Sequence, residues 1–169
     1  INPPWARMLG GSLEAAPLGL CYIAAVIEEQ GYNVSIYNAD YKSGLQLTST
    51  VDMTIGMYKE YLRVLKDIKH PLWREISAVI SKQSPDLVGI SVMTAKYGSA
   101  LNVSKIVKNY NPTIPVVWGG IHPTILPDET IKNKDVDIIV RGEGEYTFLE
   151  LIKNLENLNE VLGISYKKN

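Results

Sequence analysis

The sequence predicts an α/β fold: a doubly wound parallel sheet of five to six strands, flavodoxin-like or Rossmann-like, with flanking helices and a helical insertion over about 41–70. Three observations predict it. Apolar runs such as Leu87 to Val92 lack polar alternation, as strands covered on both faces do. Each run is followed by a stretch whose apolar residues recur at helical spacing. Glycines fall where a run ends and the next helix begins, at Gly119-Gly120 and at Gly142 and Gly144. Such alternation builds βαβ units with right-handed crossovers.

The elements follow in order. Ile1-Asn2-Pro3-Pro4 reads as the end of a strand entering a loop. Pro17 suits the first turn of a helix and Gly31 the position just past its end. Leu18, Cys21, Tyr22, Ala25 and Val26 form the stripe expected to face the core. Asn33 to Tyr37 alternates as a strand, ended by Asp40. Tyr41 to Leu47 reads as loop, and from about Thr48 the residues Met57, Tyr61, Leu65 and Ile68 recur at helical spacing. Pro71 starts a helix with Leu72, Trp73, Ile76, Val79 and Ile80 on one face. After the 87–92 strand, Ala100, Val103, Val107 and Tyr110 mark a helix. Ile114 to Trp118 and Val136 to Val140 are strands, with a short helix expected over Asp128 to Lys132. Phe148, Leu151, Ile152 and Leu155 mark the next helix, and Gly163 to Tyr166 the last strand.

Composition narrows the function classes. At 169 residues the chain is about one domain, long enough to bury a real core. With 46% hydrophobic residues and a net charge of −1 it is not a disordered chain. The balanced charge gives no electrostatic case for nucleic acid or an anionic membrane surface. No apolar run approaches the ~20 residues of a membrane span. Cys21 stands alone, so neither an internal disulfide framework nor a multi-cysteine metal or iron–sulfur site is expected within the chain. A reducing, cytoplasmic compartment is the expectation. The opening at Ile1, with no basic and apolar leader, reads as a piece of a larger protein or a trimmed start.

Ligands of such sheets bind beyond the C-terminal strand ends, which directs attention to loops 3–16, 91–98, 119–126 and 141–145. Gly119-Gly120 allows either a tight turn or close approach to a ligand. Ser91 and Thr94 offer hydroxyls that serve a ligand or a helix cap equally well. Gly142-Glu143-Gly144-Glu145 superficially resembles a dinucleotide loop, but Thr147 stands where its third glycine belongs and two carboxylates would repel a pyrophosphate. Gly10-Gly11-Ser12 is a thin candidate for a flavin phosphate loop. The lone histidines, His70 and His122, read first as polar surface, and Cys21 as core. No catalytic triad or metal spacing is legible.

Taken together, four segments resemble one family. Pro17-Leu18-Gly19-Leu20, Asp86 to Thr94, Val117-Trp118-Gly119-Gly120-Ile121-His122-Pro123-Thr124 and Val140 to Glu145 are similar to the N-terminal cobalamin-binding domain of cobalamin-dependent radical SAM enzymes. That group includes methyltransferases and the anaerobic magnesium-protoporphyrin ester cyclase. The resemblance covers nearly the whole chain except the 41–70 excursion. It implies cobalamin across the C-terminal strand ends, contacted by Ser12, Leu13, Pro17, Leu18, Ser91, Val92, Met93, Thr94, Gly119, Gly120, Ile121, His122, Gly142, Glu143 and Gly144. Ser91 and Thr94 match the hydroxyls that contact the nucleotide tail, and Gly119-Gly120 the glycines that make room for it.

The chain departs from cobalamin domains that ligate cobalt through an Asp-x-His-x-x-Gly motif, because neither histidine follows an aspartate by two residues. Base-off, His-off binding is therefore implied, with the lower cobalt face meeting loop 3–16 or water. The cysteines of a 4Fe-4S cluster, which would serve S-adenosylmethionine, are expected in a radical SAM domain C-terminal to Asn169. Two alternatives stay open: a degenerate scaffold used for domain or protein contacts, and a nucleotide- or flavin-binding domain.

Overall fold

The computed structural model describes residues 1–12, 15–44 and 55–167. In chain order the elements are α1 (Leu18–Glu28), α2 (Ile55–Lys66), α3 (Pro71–Gln83), β1 (Val88–Ser91), α4 (Tyr97–Tyr110), β2 (Val116–Gly119), α5 (Ile121–Ile125), α6 (Pro127–Thr130), β3 (Ile138–Val140), α7 (Glu145–Lys153) and β4 (Ile164–Tyr166). Short 3-10 turns lie at Ala6–Leu9, Thr94–Lys96 and Leu158–Glu160. Among the described residues no helix is long and apolar enough to cross a membrane.

The sheet runs β1-β2-β3-β4. β1, β2 and β3 are parallel, with Ile90 opposite Trp118 and Trp118 opposite Ile139. Strand count is one correction, because among the described residues four strands form where five to six were expected. The predicted 33–37 strand does not form as a strand, and the one isolated bridge found among the described residues lies just beyond it, parallel, between Asn2 and Asn38. Its neighbours carry the bonds: Asn2 N donates to Tyr37 O, and Ala39 N to Asn2 O, both at 3.0 Å. Ser91 N in turn donates to Ile1 O, so residues 1–2 lie between that edge and β1. The direction of chain progression reverses there, which makes the gap between residues 1–2 and β1 the switch point of the sheet.

The last strand is a second correction. β4 is antiparallel to β3, with Ile164 opposite Val140. Residues 154–163 return along the sheet after α7, so the chain re-enters at the C-terminal end of β3, beside Arg141.

Two apolar layers sandwich the sheet. Val88, Ile90, Val116, Trp118 and Ile139 face α3 and α4, together with Trp73, Ile76, Val103 and Val107. Val117, Ile138 and Val140 face the other way, toward Leu151 and Phe148 of α7. Both buried indoles are satisfied: Trp118 Nε1 donates to Ser104 Oγ and Trp73 Nε1 to Val64 O, each at 2.8 Å. A large indole buried with its N–H paired contributes area without an unsatisfied donor.

The core face predicted for α1 is a third correction. Ala24 and Ile27 are buried, whereas Leu18 and Tyr22 are more than 60% exposed. Cys21 is half-buried. Of the 41–70 excursion, the described part carries α2, whose Val64 is buried against the α3–α4 layer. Its stretch 45–54 and Leu13 lie outside the described residues.

Candidate functional site

The ends of β1 and β2 are joined first by backbone. Val92 N donates to Gly119 O at 2.8 Å, and His122 N donates to Val92 O at 3.1 Å. These bonds bring Ser91, Val92, Met93 and Thr94 against Gly119, Gly120, Ile121 and His122. Gly120 permits the approach: its φ is +102°, and a Cβ there would lie 3.0 Å from Val92 O and 3.1 Å from Val92 N. Its glycine is therefore required by the protein's own packing. At Gly119 a Cβ would meet only Val140 O at 3.8 Å, so open space lies beside Gly119 rather than Gly120.

The segment after Gly120 was expected to be loop, yet it turns into α5. Thr124 Oγ1 there donates to Gly120 O at 2.8 Å and accepts from Gly142 N at 3.0 Å. One hydroxyl thus ties the third turn, Gly142-Glu143-Gly144, to the first two. Gly144 lets α1 approach, because a Cβ would sit 3.2 Å from Ile23 Cδ1. Pro17 and Leu18 begin that same helix. Glu143 is exposed, and Glu145 stands in the first turn of α7, where a carboxylate suits the helix dipole.

His122 differs from its expected place on the surface: it is buried, at 6% exposure. Its Nδ1 lies 3.2 Å from Thr94 Oγ1, and its ring centroid 4.7 Å from that of Tyr97. Tyr97 in turn meets Trp118 edge-on at 5.6 Å. Sequence reasoning gave the histidine no such depth, because the partners that enclose it come from β1's turn and α4. Around this cluster the rim is apolar: Met93, Ile121 and Ile125 are each more than half exposed.

Ser12 does not join the rim. It is buried, and its Oγ accepts from Lys42 N at 2.7 Å. The turn it belongs to is held by a group that sequence reasoning missed. Asp40, with no exposed surface, accepts from Trp5 N, Arg7 N and Lys96 Nζ at 2.7, 3.2 and 2.9 Å. Lys96 Nζ also donates to Asn2 Oδ1 at 2.8 Å, so a fully paired ion pair fills the switch point. Farther out, Arg7 makes a two-pronged contact with Glu75 at 2.7 and 2.8 Å, and Tyr37 Oη donates to Glu75 at 2.9 Å. The Arg7 guanidinium holds the Glu75 carboxyl below its ordinary value. Burial, then the Glu75 hydrogen bond and charge, push the Tyr37 hydroxyl up to about 12.

Comparison with known proteins decides what kind of rim this is. A family model described as B12 binding domain matches residues 9–152. The chain belongs to the B12-binding domain family. An uncharacterized methyltransferase of Pyrococcus horikoshii is 36% identical over 157 residues, covering 90% of this chain and 28% of the relative. The cobalamin-dependent radical SAM methyltransferase TokK of Streptomyces tokunonensis is 35% identical over 69 residues, covering 40% and 10%. The anaerobic magnesium-protoporphyrin IX monomethyl ester cyclase of Rubrivivax gelatinosus is 34% identical over 99 residues, covering 54% and 18%. The chain spans less than a third of the length of these relatives.

The rim fits what a B12-binding domain has to hold. Cobalamin is broad and largely neutral, and its macrocycle needs an apolar seat with few fixed polar groups. Met93, Ile121 and Ile125 provide apolar surface, Gly119 leaves backbone space, and Ser91 and Thr94 supply hydroxyls. Among the described residues no group of three or more His, Cys, Asp or Glu stands where it could hold a metal ion.

Proposed function

We propose that this chain is the cobalamin-holding module of a radical SAM enzyme. In this reading residues 1–169 form one cobalamin-binding domain with an insertion near 41–70. A radical SAM domain lies C-terminal to it and carries the 4Fe-4S cluster and the S-adenosylmethionine. Support comes from the name of one relative, a cobalamin-dependent radical SAM methyltransferase, and from relatives more than three times this chain's aligned span. A cytoplasmic location is part of the same reading, in keeping with the reducing conditions that a cluster and a lone cysteine favour.

The observation that carries the mode of binding is the placing of the two histidines. His70 caps α3, its Nδ1 accepting from Leu72 N at 3.3 Å. His122 is buried with Nδ1 on Thr94. His122 therefore lies below the exposed apolar rim, and neither histidine follows an aspartate by two residues, which together support base-off, His-off binding. Bound cobalamin supplies a cobalt that carries a methyl group from donor to acceptor, or assists radical chemistry. The residues of this chain bind and orient: Met93, Ile121 and Ile125 would exclude water from one face of the macrocycle, and Ser91 and Thr94 would hydrogen-bond the nucleotide tail.

The test is a titration of the intact protein with hydroxocobalamin, read by visible spectrum and by co-elution in gel filtration. Co-elution with a base-off spectrum is expected. A base-on spectrum overturns the mode, and complete loss of cobalamin on the column overturns the module.

A further inference from the structure

Among the described residues the buried side-chain nitrogens and oxygens all find a hydrogen-bond partner except His122 Nε2. Native proteins pair such atoms almost without exception, and leaving one unpaired costs about 1–3 kcal/mol. The imidazole is not loose. Its backbone N–H is on Val92 O, its Nδ1 is on Thr94 Oγ1, and its ring packs on Tyr97. Thr94 Oγ1 can donate to Nδ1, and the tautomer that accepts this bond carries its proton on Nε2, which is then a donor held in place.

We propose that His122 Nε2 donates a hydrogen bond to an oxygen of the nucleotide tail of bound cobalamin, which makes His122 a positioning residue selecting tailed over tail-less corrinoids. This rests on the cobalamin reading above. The argument is one of depth and shape. His122 lies below the rim at 6% exposure, whereas a macrocycle is wide and flat and stays on the exposed apolar seat of Met93, Ile121 and Ile125. The tail alone is slim enough to pass between the turns after β1 and β2, and its ribose and phosphate carry the acceptors that a buried N–H lacks. Entry turns aside the exposed side chains of Met93 and Ile121, while the backbone of α5, which buries His122 and Pro123, stays in place.

The experiment is a spectral titration of the intact protein with two probes, hydroxocobalamin and diaquacobinamide, which lacks the nucleotide tail. Wild type is expected to bind the first more tightly. His122→Asn keeps a polar atom near the Nδ1 position for Thr94 but removes Nε2. It should weaken cobalamin about 10-fold, leave cobinamide within about 2-fold, and leave the melting temperature of the unliganded protein unchanged or higher. His122→Gln, whose amide reaches the Nε2 position, should restore most of the loss. Equal weakening of both corrinoids, or an affinity loss that tracks a lower melting temperature, assigns His122 a structural role and overturns the proposal. So does equal affinity of wild type for the two probes. A wild type that binds neither corrinoid brings down the cobalamin reading itself, and this inference with it.

Discussion

On one side of β1 the strand end is held by buried charge, and on the other by backbone and glycine. The Thr94–Lys96 turn faces both. Lys96 reaches toward Asp40 and Asn2 across the switch point, where each charged group has its partners. Thr94 reaches toward His122, where one nitrogen has none. The first region is finished by folding and holds loop 3–12 in place. The second is apolar at its rim and carries an unpaired ring nitrogen below it. Polar satisfaction therefore separates scaffold from site within a single turn.

Breaking the charged side should have the largest effect. Asp40→Ala strands the Lys96 ammonium and two backbone N–H groups in the interior. Removing one partner of a buried pair costs about 3–5 kcal/mol, so the urea midpoint should fall steeply. A loss under about 1 kcal/mol would mean that Lys96 escapes to solvent and that the contrast is false. On the other side, Gly120→Ala forces a positive φ on a residue with a Cβ and pushes that Cβ against Val92 N and O. About 2 kcal/mol of stability should be lost, read by the same denaturation. Gly119→Ala sharpens the comparison. Its Cβ meets an ordinary contact, so stability should change by less than about 0.5 kcal/mol. Cobalamin retention should nonetheless weaken, because that space is where the ligand's approach is open.

What the sequence made legible, and what it hid, follows the same physics. β1, β2 and β3 were readable because Leu87 to Val92, Ile114 to Trp118 and Val136 to Val140 are mostly apolar, with no regular polar alternation. α3 was readable because Pro71 marks its start and its polar face is charged. α1 was misread by one face, because Leu20, Ile23, Ala24 and Ile27 are as apolar as the stripe beside them and periodicity has no contrast to report. The direction of β4 depends on where residues 154–163 travel, which local pattern does not encode. Within the site, the turn glycines were visible as sequence. The depth of His122 and the Asp40–Lys96 pair were not, because their partners lie 28 and 56 residues away.

Ser12→Ala tests the boundary between the two regions. Its hydroxyl serves Lys42 N inside the loop, so about 1 kcal/mol of stability should go while cobalamin affinity stays at the wild-type value. A large affinity loss without a stability change would move Ser12 back into the binding rim.

The smallest effect is the pH response of the charged side. Tyr37 is pushed up to about 12 in the folded state, first by burial and then by Glu75, whereas an unfolded tyrosine ionises near 10. A raised value means the folded state holds its proton longer. Stability from this group is complete below about pH 10 and declines as pH rises toward 12, because the unfolded state ionises first. Glu75 has the opposite sign: Arg7 lowers it, so its contribution is present above the ordinary carboxylate range and fades as pH falls through its folded value. Solvent reaches this network, with Glu75 43% exposed, so each limb should amount to less than about 1 kcal/mol. Subtracting the stability profile of Tyr37→Phe from that of wild type cancels the lysines that titrate in the same alkaline range. The difference should slope downward between about pH 10 and 12 and stay flat at neutral pH. A flat alkaline difference would show that Tyr37 is solvated in the folded protein, and that the charged side is less closed than the strand-end site it is set against.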